Sequence, residues 1–168
     1  MDCRRNLFFT VVAANRVTGP LIKHIDDLRE AFRLVRAEQP FEIDAIVILP
    51  DHLHALWTLP RSDADYATRW KKIKTAFSKR VPRYEQRSPS QAAKGERGIW
   101  QRRYWEHTIR DDDDFRAHCD YIHFNPVKHG YARAASEWPH STFRQFVERG
   151  VYLMDWGGAE NDEGDFGE

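Results

Sequence analysis

The chain of 168 residues is 41% hydrophobic, which is enough for one compact core and too little for two full domains. Basic and acidic residues balance at 26 each, but residues 155–168 hold six acids and no base, leaving 26 basic against 20 acidic groups in residues 1–154. We therefore predict a single domain over residues 1–154 that is suited to a polyanion, followed by an acidic, disordered tail over residues 155–168.

Cysteine content and hydropathy exclude several classes of protein. The two cysteines, Cys3 and Cys119, have neither the spacing of a zinc site nor that of a disulfide framework. No apolar run approaches the length of a membrane span, and the N-terminal "MDCRRNLFF" lacks the apolar region of a signal peptide. The sequence therefore predicts a cytoplasmic protein without a membrane partner.

The first half of the chain predicts a strand, a helix and a hairpin. "LFFTVVAA", residues 7–14, is rich in β-branched and aromatic residues and predicts the first strand. A helix follows, because apolar residues then recur every three or four positions, at Leu21, Ile25, Leu28, Phe32 and Val35. "FEIDAIVILP" and "HLHALWTL" predict the second and third strands, joined by a short "PD" turn.

The second half predicts two further helices around a fourth strand. "YATRWKKIKTAFSKRV", residues 66–81, has one apolar face and one basic face, which indicates an amphipathic helix. A polar loop over residues 82–98 precedes "YWEHTIR", the predicted fourth strand. The run of aspartates at 111–114 favours the start of a helix over residues 112–124, and we expect Asn125–Pro126 to end it.

This order of elements, β-α-β-β-α-β with a further helix, predicts the fold class. Internal repeats and the long apolar strands of a parallel sheet are both missing from the sequence. We therefore expect an α+β fold of the ferredoxin-like or RRM-like type, in which helices pack against an antiparallel sheet.

Two histidines one residue apart in the third strand form the first candidate site. Side chains alternate along a strand, so His52 and His54 share one face and two imidazoles can contact one metal ion. Two such histidines in an arbitrary strand are more often surface or hydrogen-bonded residues than ligands.

The helix "DFRAHCDYIHFNP" strengthens the metal hypothesis. Its apolar stripe includes Cys119, whereas His118, Tyr121 and Asn125 share a different face. If that face covers the histidine strand, Asn125 supplies a third ligand and Tyr121 lies beside the metal. Separately, Tyr121 could be a packed aromatic and Asn125 a residue that ends a helix. Because Cys119 should point away, a zinc thiolate site is not favoured, and two nitrogens with one amide oxygen suit Mg²⁺ or Mn²⁺.

A tyrosine beside such a metal indicates transesterification. A metal that polarises a phosphodiester makes phosphorus easier to attack, and a covalent phosphotyrosine would result. Rejoining from this intermediate needs no nucleotide cofactor, and the sequence contains no phosphate-binding glycine loop.

These motifs resemble one family over nearly the whole chain. The segments "FFTVV", "FEIDAIVILPDHLHALWTLP", "WKKIKTAFSKR", "GIWQRRYWEHTIRDDDDF", "CDYIHFNPVKHGY" and "MDWGG" together are similar to the REP-associated tyrosine transposases, which are single-tyrosine HUH transposases related to those of insertion sequences. The resemblance implies the HUH endonuclease fold, with His52 and His54 as the two motif histidines, Asn125 as third metal ligand and Tyr121 as nucleophile. It also implies cleavage and rejoining of single-stranded DNA at palindromic hairpins through a 5′-phosphotyrosine, by a monomer rather than a dimer. The protein would then be associated with the nucleoid when it is bound to DNA.

Basic side chains for phosphate contacts are predicted independently of the family. The candidates follow the basic helix, the fourth strand, the Tyr121 helix and the N-terminus: Lys71, Lys74, Arg80, Arg102, Arg103, Lys128, Arg4 and Arg5. Neighbouring aromatics, Trp100, Tyr104 and Trp105, could stack on unpaired bases, although most tryptophans pack in cores.

Two other functions remain open at the level of the sequence. One is a hairpin-binding regulator that retains the fold but does no chemistry. The other is a metal-dependent hydrolase in which the histidines activate water and Tyr121 only packs.

Overall fold

The computed structural model describes residues 5–82 and 87–158, and within them it contains four strands and six α-helices. The strands are β1 (Arg5–Val12), β2 (Glu42–Ile48), β3 (His52–Leu59) and β4 (Trp105–Thr108). The helices are α1 (Pro20–Lys23), α2 (Ile25–Glu38), α3 (Tyr66–Arg80), α4 (Pro89–Ala93), α5 (Asp112–Lys128) and α6 (Phe143–Glu148). A 3-10 turn, Ala135–Glu137, lies between α5 and α6.

The strands form one antiparallel sheet in the order β2-β3-β1-β4, which confirms the predicted α+β fold of the ferredoxin-like type. In the register of this sheet, Thr10 of β1 lies opposite His54 on one side and Trp105 on the other. Residues that are directly opposite each other point to the same face. The side chains of these three residues therefore emerge on one face of the sheet.

Helices cover both faces of the sheet. On one face, α2 and α3 enclose an aromatic core in which Trp57 stacks on Trp70 with ring centroids 4.3 Å apart. On the other face, α5 and α6 pack over Phe8 and Leu56 of the sheet, and Ile122 of α5 is buried in this second core. Strand β3 is central, and all eight of its residues are buried, which explains why its sequence is almost continuously apolar.

The structure differs from the prediction in the first helix and in the loop that follows α3. The predicted helix from Leu21 to Val35 is divided at His24, whose backbone (φ −119°, ψ 41°) leaves the helical region and separates α1 from α2. The loop predicted over residues 82–98 contains α4, which begins with a capping box made by Ser88 and Gln91.

The predicted end of the Tyr121 helix is wrong. Helix α5 continues through Pro126 to Lys128. The last turn closes without the missing proline N–H, because the His129 N–H donates to the Asn125 carbonyl at 3.0 Å. Pro126 is itself buried. Asn125 is consequently a helical residue held in the protein interior rather than a residue at a helix end.

Beyond α6, the described part of the chain packs against the α5 face of the sheet. Trp156, two residues past the predicted domain boundary, stacks on Tyr152 at 4.4 Å. The remainder of the predicted acidic tail, residues 159–168, lies outside the described residues. Within the described ranges no helix combines the length and apolar character needed to cross a membrane.

Candidate functional site

The start of β3 places the two histidines under helix α5, as the alternation of the strand predicts. The His52 and His54 rings lie 5.0 Å apart and nearly perpendicular. Both are almost fully buried, with 6% and 3% of their surface exposed. Two imidazoles on one strand face thus lie side by side in a region from which most water is excluded.

His52 is held by a carboxylate that the sequence analysis missed. Its Nδ1 lies 2.8 Å from Asp51 Oδ1, and Asp51 Oδ2 accepts from Arg16 Nε at 2.5 Å. Burial favours the neutral acid, but these hydrogen bonds from Arg16 and His52 lower the pKa of Asp51 below its usual value. An ionised Asp51 fixes the Nδ1–H tautomer of His52 and leaves Nε2 as an acceptor, which is how carboxylates orient metal-binding histidines.

His54 has one satisfied nitrogen and one free one. Its Nδ1 lies 2.8 Å from the Thr10 hydroxyl, whereas its buried Nε2 has no hydrogen-bond partner among the described residues. Burial, with the nearby charges of His52, His129 and Lys128, lowers the pKa of His54 to about 3. The ring is therefore neutral at pH 7 and able to donate a lone pair.

Asn125 completes a set of unpaired polar atoms. Its side chain is fully buried, and within the described residues neither amide atom has a hydrogen-bond partner. The amide lies beside His54, close enough to oppose the lowering of that histidine's pKa without completing a hydrogen bond. An unsatisfied buried polar group costs about 1–3 kcal/mol, so this set fits a cation that would bind between its members.

Tyr121 lies one helical turn before Asn125 on the same face of α5. Its ring contacts His54 edge-on at 5.1 Å and Phe8 at 6.0 Å. The ammonium group of Lys128, two turns further along the helix, lies 5.3 Å from the centre of the Tyr121 ring. The structure therefore brings the predicted nucleophile, the predicted ligands and one predicted phosphate-binding cation together.

A second group of possible metal ligands lies on the other side of Phe8. The ligating atoms of His107, Asp114 and His118 are all within 4.8 Å of one another. Here every group already has a partner, since Asp114 contacts His107 Nε2 at 2.8 Å and His118 Nδ1 at 3.1 Å. The unpaired atoms of His54 and Asn125 make the His52 side of Phe8 the better metal position.

The basic residues predicted on α3 lie across the sheet from this site. Lys71 and Arg80 are exposed on the α3 layer, and the Arg80 guanidinium donates to the Ala76 carbonyl. Lys74 is half-buried against the Trp100 and Tyr104 rings, and burial lowers its pKa to about 8. The sheet therefore separates the α3 cations from Tyr121.

The remaining predicted cations are spread around the β4 edge and the N-terminus. Arg103 is exposed, and Arg102 pairs with Glu96 at 3.0 Å. Arg5 is exposed at the start of β1, and Arg4 lies outside the described residues. Lys128 is therefore the predicted cation that the structure places directly at the tyrosine.

A cavity of about 660 Å³ lies away from the site, at the far end of β2 and β3, and is lined by residues 40–42 and 58–61. The residues that support the site and were missed, Asp51, Thr10 and Phe8, are distant in sequence from Tyr121. Only the "DH" pair before β3 carried a signal that could have found one of them.

The family model and the similar sequences found by comparison with known proteins are all transposases. The sequence model of the family described as "Transposase IS200 like" matches residues 6–125. A REP-associated tyrosine transposase of Escherichia coli strain K12 is 44% identical over 155 residues, which is 92% of this chain and 86% of the relative. A putative REP-associated tyrosine transposase of Haemophilus influenzae is 45% identical over 152 residues, covering 90% and 86% of the two chains.

Solved structures show the same fold. A REP-associated tyrosine transposase bound to a REP hairpin superposes with a TM-score of 0.79 at 43% identity, covering 98% of this chain and 91% of the other. A putative transposase from Deinococcus radiodurans superposes with a TM-score of 0.50 at 16% identity, covering 69% and 87%. The second similarity concerns the fold alone.

Proposed function

The chain belongs to the IS200-like transposase family, among the REP-associated tyrosine transposases, and we propose that it cleaves and rejoins single-stranded DNA at palindromic hairpins through a covalent bond to Tyr121. The observation that carries this proposal is the set of buried, unpaired polar atoms of His54 and Asn125 next to the Tyr121 ring. A nucleophile beside a group of atoms able to bind a cation is the arrangement that phosphodiester transesterification needs.

The cation would be held by His52 Nε2, His54 Nε2 and the Asn125 amide oxygen. This mixed nitrogen and oxygen set suits Mn²⁺ or, with more water in the coordination shell, Mg²⁺. When bound, the cation supplies Lewis-acid polarisation of a phosphate oxygen. Asp51 and Thr10 keep the two rings oriented for this role by holding each Nδ1.

Tyr121 provides the chemical step. Its phenolic oxygen loses a proton and bonds to phosphorus, while the bond to the 3′-oxygen breaks and that oxygen gains a proton. The products are a 5′-phosphotyrosine and a free 3′-OH, and attack by a 3′-OH reverses the step. Lys128 lies close enough to Tyr121 to favour both the developing phenolate and the phosphate charge.

The charge of the surface and the comparison with relatives both support DNA as the substrate. One relative was solved bound to a REP hairpin, and the described body of this chain displays exposed cations on both layers. We include Lys71, Lys74, Arg80, Arg102, Arg103 and Arg5 among the phosphate-binding residues of the hairpin, with Arg4 as a further candidate. The protein would act as a monomer on nucleoid DNA in the cytoplasm, and light scattering of the complex with one hairpin tests the stoichiometry.

A denaturing gel tests the covalent mechanism. Wild type, Tyr121→Phe and Tyr104→Phe are incubated with labelled palindromic oligonucleotides from the gene's own flanks, with Mg²⁺, Mn²⁺ or a chelator. We expect a metal-dependent shifted band in wild type and in Tyr104→Phe, whose hydroxyl lies on the other layer, but none in Tyr121→Phe. An adduct in Tyr121→Phe would refute the mechanism.

The same experiment separates the two competing functions. Cleavage that survives Tyr121→Phe and disappears in His52→Ala would identify a hydrolase. Tight hairpin binding in a native gel, without cleavage under any divalent ion, would identify a regulator that binds DNA without chemistry.

A further inference from the structure

Two aromatic side chains are exposed on either side of the Tyr121 site. Among the described residues, the large apolar side chains that reach solvent include only these two aromatics, Trp105 at 56% exposure and Tyr131 at 45%. Trp100 and Tyr104, the other two aromatics that the sequence offered for stacking on bases, pack against the core under α3. Single exposed apolar side chains are common on protein surfaces, so the position of these two rings beside the site, rather than their exposure alone, points to a role.

Trp105 is joined to the site through the edge of the sheet. It lies on the same face as His54, because both are opposite Thr10, and its ring contacts Phe8 at 5.7 Å. Phe8 in turn contacts Tyr121 at 6.0 Å. Trp105 is therefore one intervening ring away from the nucleophile.

One face of the Trp105 ring is supported by His107. Its plane is parallel to that of His107, with 3° between the planes and 5.8 Å between the centroids. His107 is held by Asp114 at 2.8 Å and stacks on His118 at 4.8 Å. The His107, Asp114 and His118 group thus supports the Trp105 ring, which is otherwise exposed to solvent.

Tyr131 has an equivalent arrangement on the opposite side. Its ring lies 6.4 Å from that of His129, which contacts His52 at 5.1 Å. Behind it, Trp138 lies at 5.6 Å and is anchored by a hydrogen bond from its indole N–H to the Ile48 carbonyl at 3.0 Å. Tyr131 is thus also one ring away from a predicted metal ligand.

We propose that Trp105 and Tyr131 are stacking platforms for unpaired nucleobases, one on each side of the phosphate presented to Tyr121. Every base has a π face, so exposed and rigid aromatics bind single strands without needing a particular sequence. The inference rests on the proposed function for the position of the phosphate. It adds the path of the strand, which crosses the site from the β4 edge to the turn after α5.

An abasic-site scan tests the two platforms without requiring catalysis. Affinity is measured by fluorescence anisotropy in the Tyr121→Phe background, using a hairpin with a single-stranded flank in which one abasic site is moved along the flank. Trp105→Ala and Tyr131→Ala should each weaken binding of the intact flank by roughly 5- to 150-fold. Trp105→Phe should retain most of the affinity, and Leu153→Ala, which removes an exposed apolar side chain elsewhere, should retain all of it.

The decisive result is non-additivity. One abasic position should cost affinity in the parent and nothing further in Trp105→Ala, and a position across the cleavage site should behave likewise in Tyr131→Ala. The inference is overturned if the losses add at every position, or if either alanine variant weakens a blunt hairpin without the flank equally. If the abasic-site scan shows stacking but wild type, with Tyr121 intact, forms no adduct, only the proposed chemistry is refuted. If wild type forms an adduct but the scan shows no stacking, only the role of Trp105 and Tyr131 is refuted.

Discussion

Replacing Asp51 by asparagine should weaken cation binding without unfolding the protein. Asp51 accepts from His52 Nδ1 at 2.8 Å and from Arg16 Nε at 2.5 Å. An asparagine that turns its oxygen towards His52 sets its NH₂ group against the Arg16 donor. Turned the other way, its NH₂ group faces His52 Nδ1 and forces the proton onto Nε2, which removes that nitrogen as a ligand. Both orientations therefore disfavour the metal-binding state.

The expected size is that of other carboxylate–histidine supports, a 10- to 100-fold loss of metal affinity, or about 1.4–2.7 kcal/mol. Titration with Mn²⁺, followed by electron paramagnetic resonance of the free ion and by adduct yield, should show a midpoint raised by that factor and full yield at saturation. Asp63→Asn, which breaks a comparable pair with Arg69 at 2.7 Å, should leave the midpoint unchanged. An unchanged midpoint in Asp51→Asn would refute the reasoning.

Three further outcomes test the core, the pH dependence and the surface charge. Trp57→Ala removes an indole stacked at 4.3 Å on a second buried indole and should lower the free energy of unfolding by about 3–5 kcal/mol, and an unchanged urea midpoint would contradict this packing. Burial lowers the pKa of His123 to about 3 from the ordinary 6.5, so the unfolded chain takes up a proton first and stability should fall as the pH drops below 6.5. The loss at pH 5 is about 2 kcal/mol for this group, with a similar effect from His54, and thermal melts of His123→Asn should show a smaller loss between pH 7.5 and pH 5. Lys128→Gln should reduce the adduct rate about 10-fold or more by removing the cation beside the nucleophile, whereas Lys71→Gln should change only hairpin affinity and its salt dependence. Equal effects of the two substitutions on the rate at saturating DNA would contradict the placement of Lys128.

The periodicity of the sequence was enough to predict the strands and the face of α5 that bears the site, because both depend on patterns that repeat locally. Alternation along "HLHALWTL" places His52 and His54 together in any regular strand, and a helical period places Tyr121 and Asn125 one turn apart. The structure contains both arrangements. Family resemblance then supplied roles that spacing alone leaves open.

Features that depend on tertiary packing could not be predicted in the same way. The rule that proline ends a helix failed at Pro126, because burial and the hydrogen bond that closes the last turn outweigh one missing donor. The pairing of Thr10 with His54 requires the strand register. Charge patterning also could not reveal that Arg69 of α3 is buried and bonded to Asp63.

Helix α5 carries both the tyrosine and the amide ligand, and this has a mechanical consequence. Tyr121 and Asn125 are fixed one turn apart in a single continuous helix whose middle is buried against the sheet. If Tyr121 forms the proposed covalent bond, the strand end is tethered to this helix until a 3′-OH attacks the phosphotyrosine, and while bonded it moves away from His52 and His54 only if α5 lifts from the sheet and takes Asn125 with it. Under the proposed function, such a movement would also remove Asn125 from the proposed cation site, so the bonded strand end and the third ligand would stay at the site or leave it together.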